Sequence, residues 1–144
     1  MSNRRRFTDD ELEAIFDRTR GKCHICHRLL AFKNYGQRGS RGAWHVDHSV
    51  PLAKGGTNHG NNLYAACIGC NCDKSTATSR TARGRNGRQR APMSPERHAA
   101  ARTNNVVGGG ALGAGIGALI GGPPGALLGG LIGVALGSDA DPDE

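Results

Sequence analysis

The sequence predicts a small α+β domain over residues 1–78, held by a cysteine cluster rather than by a large core. It is followed by a basic flexible linker at 79–105, an apolar glycine-rich helical segment at 106–137 and an acidic tail at 138–144. Three observations carry this reading. Two Cys-x-x-Cys pairs, Cys23/Cys26 and Cys67/Cys70, stand forty residues apart and bracket a strand-like "WHVDH" at 44–48. Three Phe, two Tyr and one Trp exclude a large aromatic core. Glycines at 109, 113, 117, 121, 125, 129, 133 and 137 keep a four-residue period through a stretch without a single charge.

The elements follow in chain order. Thr8 can cap a helix, Glu11 completes a capping box and Phe7 can staple onto Leu12; Leu12, Ile15 and Phe16 then share one face, and Gly21 is a natural stop. "CHIC" at 23–26 reads as a tight knuckle and 33–43 as loop. Trp44, Val46, Val50 and Leu52 read as a short buried strand at 44–48 and its continuation, followed by a loop through "KGGTNHG". The residues alone then read as a helix starting near Asn61 to Tyr64, a second knuckle "CIGC" at 67–70, and a last short helix from about Asn71. Residues 79–104 hold seven Arg, one Glu and almost nothing large and apolar, so they cannot bury enough surface to offset their ordering entropy; at most a helical turn is expected at 95–102.

Charge is unevenly placed. All 19 Lys and Arg lie in residues 1–102 with eight acidic residues, a net +11, whereas the remainder carries Asp139, Asp141, Asp143, Glu144 and no base. Such a split points to a polyanion, nucleic acid above all, as the partner of the first part; solubility alone is the competing explanation. Residues 1–6 are basic with no apolar stretch behind them, so a reducing compartment is expected, where paired Cys-x-x-Cys motifs mean metal more often than disulfide.

Four thiolates in two knuckles are what a closed tetrahedral structural zinc site requires, with Cys23, Cys26, Cys67 and Cys70 as ligands. Zinc in small modules contributes on the order of 10–16 kcal/mol, which explains how an aromatic-poor domain folds. Cys72 is left over as a small helix residue or an exposed thiol, and His24 and His27 read as surface histidines rather than as zinc ligands. The strand raises a separate question, since burying Asp47 and His48 costs several kcal/mol unless something compensates. Asp47 and Asn71, just after the last cysteine ligand, offer the hard oxygens that suit Mg²⁺ or Mn²⁺, which leaves His48 available as a base.

At this point "DHSVPLAKGGTNHGNNLYAACIGCNCDK" resembles the HNH endonuclease signature in its zinc-stabilised branch, where an asparagine stands in place of the final histidine. With the first knuckle the resemblance covers residues 23–74. It implies a ββα-metal fold, a strand pair and a helix gripping one divalent ion, with His48 as general base, Asp47 and Asn71 as ligands of the catalytic metal, and Asn62 bracing the loop between them. His45 departs from the acidic residue that relatives often carry there. The implied activity is metal-dependent hydrolysis of DNA phosphodiester bonds, largely sequence-independent, with Lys54, Arg38, Arg41 and Lys74 meeting flanking phosphates. The alternative is a non-catalytic zinc-ribbon module that binds nucleic acid.

The glycine stripe resembles glycine-zipper segments, in which small residues let helices approach closely. Membrane association and self-association are the expectations drawn from it, either as one helix kinked at Pro123-Pro124 or as a hairpin turning there. Positive flanking sequence places the nuclease on the cytoplasmic side of a membrane; a soluble cytoplasmic protein is the alternative.

Overall fold

Helix α1 (Asp9–Asp17) forms where local chemistry is most explicit. The Thr8 hydroxyl accepts from the Glu11 amide and the Glu11 carboxylate accepts from the Thr8 amide, so the capping box closes, and Asp9, Asp10 and Glu11 place negative charge at the positive end of the helix dipole. Leu12 and Ile15 are the buried face. The chain reverses through Arg20 and Gly21 at positive φ, and at Gly21 a side chain would strike the Phe16 ring at 2.8 Å, which selects glycine. This is a computed structural model; it describes residues 5–105 together with 107, 108, 130 and 131, and the chain divides into two units, Met1–Pro95 and Glu96–Glu144.

In the first unit, strands β1 (Trp44–His48) and β2 (Leu63–Cys67) form an antiparallel pair with Trp44 opposite Cys67, Asp47 opposite Tyr64 and His48 opposite Leu63. Alternation gives the hairpin two different faces. One carries Trp44, Val46, Leu63 and Ala65 into a core with Leu12 and Ile15, and the Trp44 indole N–H donates to the Phe32 carbonyl. The other carries Asp47, Tyr64 and Ala66 towards the knuckle, where Ala66 packs with Cys23 and Ile25.

Helix α2 (Ile68–Lys74) follows β2 directly, and α3 (Ser79–Arg85) follows after a short turn. Four expectations change here. Residues 63–67 are strand rather than helix: alanine-rich as they are, they find a backbone partner in β1 and bury Leu63, Ala65 and Ala66, so tertiary pairing overrides local propensity. Helix α2 begins at Ile68, ahead of Cys70, which puts Asn71 within it rather than at its start. Val50 and Leu52 are 42% and 53% exposed, because the chain leaves the sheet after His48. Residues 79–85, expected within a flexible linker, are α3: Thr78 caps it, Ser79 and Ala82 are buried, and Ala82 joins the Cys23–Ile25–Ala66 cluster.

The loop between the strands is closed by backbone. Pro51 O accepts from Lys54 N and Gly56 N, and a β-carbon on Gly56 would lie 1.9 Å from Val50 O. That contact is with backbone and cannot be relieved by a side-chain rotation. Gly56→Ala is therefore expected to cost about 1–3 kcal/mol, as over-packing does, whereas Gly69→Ala, with open space around it inside α2, is expected to be neutral or stabilising. Thermal melts of the zinc-loaded variants check the ordering; equal melting temperatures would refute it.

In the second unit residues 96–105 are helical. Among the described residues no helix is long and apolar enough to cross a membrane. The expected glycine stripe, the Pro123-Pro124 kink and the acidic tail all lie outside the described residues.

Candidate active site

The four cysteines converge. Cys23 and Cys26 sit on a turn in which Cys23 N donates to Arg28 O and His27 N to Cys23 O, with His27 at φ +63°. Cys67 ends β2 and Cys70 lies in the first turn of α2. Their sulfurs all lie within 4.8 Å of one another, with Cys26 and Cys67 at 4.0 Å, and all are free thiols. A tetrahedral ion with Zn–S bonds of ~2.3 Å needs sulfurs about 3.8 Å apart, so the cluster fits zinc after a small contraction. Crowding already disturbs the thiols. Hydrogen bonds with Cys26 and Cys67, then burial, push Cys23 up; bonds with Cys23 and Cys67 pull Cys26 down; burial, then Cys67, push Cys70 up. Four thiolates together need a cation between them. Cys72 is exposed on α2 and takes no part in the cluster.

Behind the knuckle lies a buried polar network. Asp47 is 5% exposed, and its two oxygens are held from opposite elements: Oδ2 by His24 Nε2 at 2.8 Å and Oδ1 by Lys74 Nζ at 3.0 Å. Lys74 also donates to His48 O at 2.8 Å, which ties α2 to the end of β1. Two readings are corrected here. His24 is fully buried rather than a surface histidine, stacked on Tyr64 at 5.1 Å. Burial pushes its imidazole below the usual range and Arg83 and Lys74 act the same way, while Asp47 pulls it up. Lys74, expected to meet a phosphate, is 3% exposed and spends its charge on Asp47, because a buried carboxylate without a cation would be far costlier.

His48, at the end of β1, is half-buried, its Nε2 2.9 Å from Asn58 Oδ1. With the amide oxygen accepting, the ring proton lies on Nε2 and the lone pair on Nδ1. Asn62, buried, accepts from Val50 N through Oδ1 and donates through Nδ2 to Val50 O and Thr57 O, so one side chain ties both arms of the loop. Asn71 stands three residues before Lys74 on α2, and its amide makes no hydrogen bond to a described residue. Arg38, Arg41 and Lys54 are exposed, on the loop before β1 and in the turn Leu52–Lys54.

Arg83 and Asn58 are absent from the sequence expectations, and His24 is misplaced there at the surface. His24 occupies a free position of a Cys-x-x-Cys motif, where spacing carries no information. Arg83 belongs to a segment whose composition reads as linker. Asn58 lies in a polar loop where nothing in the sequence separates it from Asn61 or Asn62.

Residues 23–77 match the family model for the HNH endonuclease domain. No curated protein and no solved structure matches the chain. The match spans both knuckles, β1, β2 and α2, and it supports a nuclease-like or nucleic-acid-related function. Over residues 23–77 the chain is thus similar to the HNH endonuclease domain, and it carries there a four-cysteine cluster suited to structural zinc.

Proposed function

We propose that the protein is a metal-dependent endonuclease that hydrolyses DNA phosphodiester bonds with His48 as general base. The observation that carries this is the pairing of His48 with Asn58 beside the buried Asp47, inside the matched domain. With Asn58 accepting from Nε2, the lone pair is left on Nδ1; a water attacking phosphorus in line would give its proton there, forming the O–P bond as the P–O3′ bond breaks. Asn62 keeps the loop, and with it Asn58, in place.

The donor set fits a hard divalent ion. Each Asp47 oxygen has one protein donor and keeps a second lone pair, and Asn71 adds an uncommitted amide oxygen on the same helix as Lys74. Mg²⁺ or Mn²⁺ held by Asp47 and Asn71 would supply charge stabilisation to the phosphate and the departing 3′ oxygen. Arg38, Arg41 and Lys54 would grip flanking phosphates, an affinity that falls with salt and is indifferent to sequence.

The test is plasmid nicking by zinc-loaded protein freed of other divalent ions, before and after adding Mg²⁺ or Mn²⁺. Ion-dependent conversion to nicked and linear forms supports the reading; DNA binding without cleavage under every ion would leave the zinc-ribbon binding module instead.

The C-terminal segment is read from its sequence as a membrane-associated, self-associating element that keeps the nuclease on the cytoplasmic face. Eight glycines in one register support this. Full-length protein is expected in the membrane fraction, and truncation after Asn105 is expected to release a soluble enzyme with unchanged nicking. Full-length protein found wholly in the soluble fraction would remove the anchor from this account.

A further inference from the structure

Helix α3 lies beyond the matched residues 23–77, yet it reaches the centre of the site. Arg83 donates from Nε to His24 O at 2.9 Å and from Nη2 to His24 Nδ1 at 3.1 Å. A guanidinium can only donate, so His24 Nδ1 accepts and the ring proton stands on Nε2. That proton points at Asp47 Oδ2, 2.8 Å away. The chain of donors therefore runs in one direction, from Arg83 through His24 to the carboxylate. Lys74 closes the other side at Oδ1, so the plane of the Asp47 carboxylate is fixed by two donors on different elements.

We propose that His24 and Arg83 are positioning residues for the catalytic divalent ion, holding Asp47 in the orientation that receives it and making α3 part of the nuclease site. The inference rests on the reading of Asp47 as a ligand of that ion. Several features favour positioning over mere charge burial. Lys74 alone already neutralises Asp47, so His24 adds direction rather than charge. His24 is gripped at three further points, by Arg83 on its ring, by Arg83 on its carbonyl and through its own amide to Ala65 O, with Tyr64 stacked on its face. It also stands between Cys23 and Cys26, so the zinc knuckle sets where it sits. Partners of this kind behind a metal ligand typically govern 10–100-fold in ion affinity or activity.

The experiment uses full-length, zinc-loaded protein and the variants Arg83→Gln, His24→Leu and His24→Gln. Mn²⁺ binding is measured by electron paramagnetic resonance with each variant also carrying His48→Ala, so that binding is read without turnover; kcat and KM for plasmid DNA are measured with His48 present. Arg83→Gln is expected to weaken Mn²⁺ binding about tenfold and to lower kcat at fixed Mn²⁺, with KM for DNA within twofold and zinc content unchanged. His24→Leu is expected to show the larger loss, and His24→Gln, whose amide nitrogen reaches the place of Nε2, to recover most of it. If Arg83→Gln and His24→Leu are folded and zinc-loaded and bind Mn²⁺ as the parent does, the network is structural and the proposal is overturned while the nuclease reading stands. Should His24→Leu fail to load zinc, Arg83→Gln alone decides between these outcomes. If the parent itself neither binds Mn²⁺ nor nicks DNA, the nuclease reading fails and the proposal falls with it.

Discussion

Cys67→Ser is expected to unfold the first unit. The substitution leaves three thiolates and an open, weaker zinc site, and zinc in small modules accounts for on the order of 10–16 kcal/mol of folding free energy. Little else is available to replace it. The core beside α1 consists of Leu12, Ile15, Trp44, Leu63 and Ala65, and the second cluster is built around Cys23 itself with Ile25, Ala66 and Ala82. Cys67 also ends β2 and precedes α2, so losing the zinc there frees the junction that carries both Asn71 and Lys74. The measurements are zinc content and thermal melting with and without chelator, with Cys72→Ser as the control, since that thiol is exposed and outside the cluster. A cooperative, zinc-free melt near that of the parent would contradict structural zinc.

What could be seen in the sequence follows from where its information lies. Helix α1 was legible because Thr8, Glu11, Leu12 and Ile15 each state one requirement of a helix start. The cysteine cluster was legible because ligand spacing is local even when its two halves are far apart. Strand β2 was not: Leu63 to Cys67 is too short and too rich in alanine for period two to declare itself, and only pairing with β1 decides it. Helix α3 was hidden for a related reason. Its two buried residues, Ser79 and Ala82, are small, and its contact with His24 comes from one arginine among seven in that stretch. The same limit explains Lys74, whose sequence neighbours cannot reveal that Asp47, twenty-seven residues away, lies 3.0 Å from its ammonium. Local chemistry could be read directly, whereas partnerships between small or charged residues needed the fold.

His48→Ala is expected to lower nicking by 10²–10⁴-fold, the usual range for removal of a general base, while leaving the fold and DNA binding intact. The separation follows from how His48 is held. Among the described residues its ring makes one hydrogen bond, to Asn58, and it is half-buried, so truncation strands no buried partner. Its backbone carbonyl, which Lys74 grips, is untouched by the substitution, so β1 stays tied to α2. The exposed Arg38, Arg41 and Lys54, proposed above to meet phosphates, keep their charge. Asn58→Ala should fall between parent and His48→Ala, because the base survives but loses the acceptor that keeps its proton on Nε2; a loss of about tenfold in kcat with little change in KM is the expected size for a partner that orients rather than reacts. The order parent, Asn58→Ala, His48→Ala is the result to look for in single-turnover nicking at saturating Mg²⁺. Unchanged nicking by His48→Ala would remove His48 as the base, and an Asn58→Ala loss as deep as that of His48→Ala, with zinc content and melting unchanged, would make Asn58 itself a reacting group.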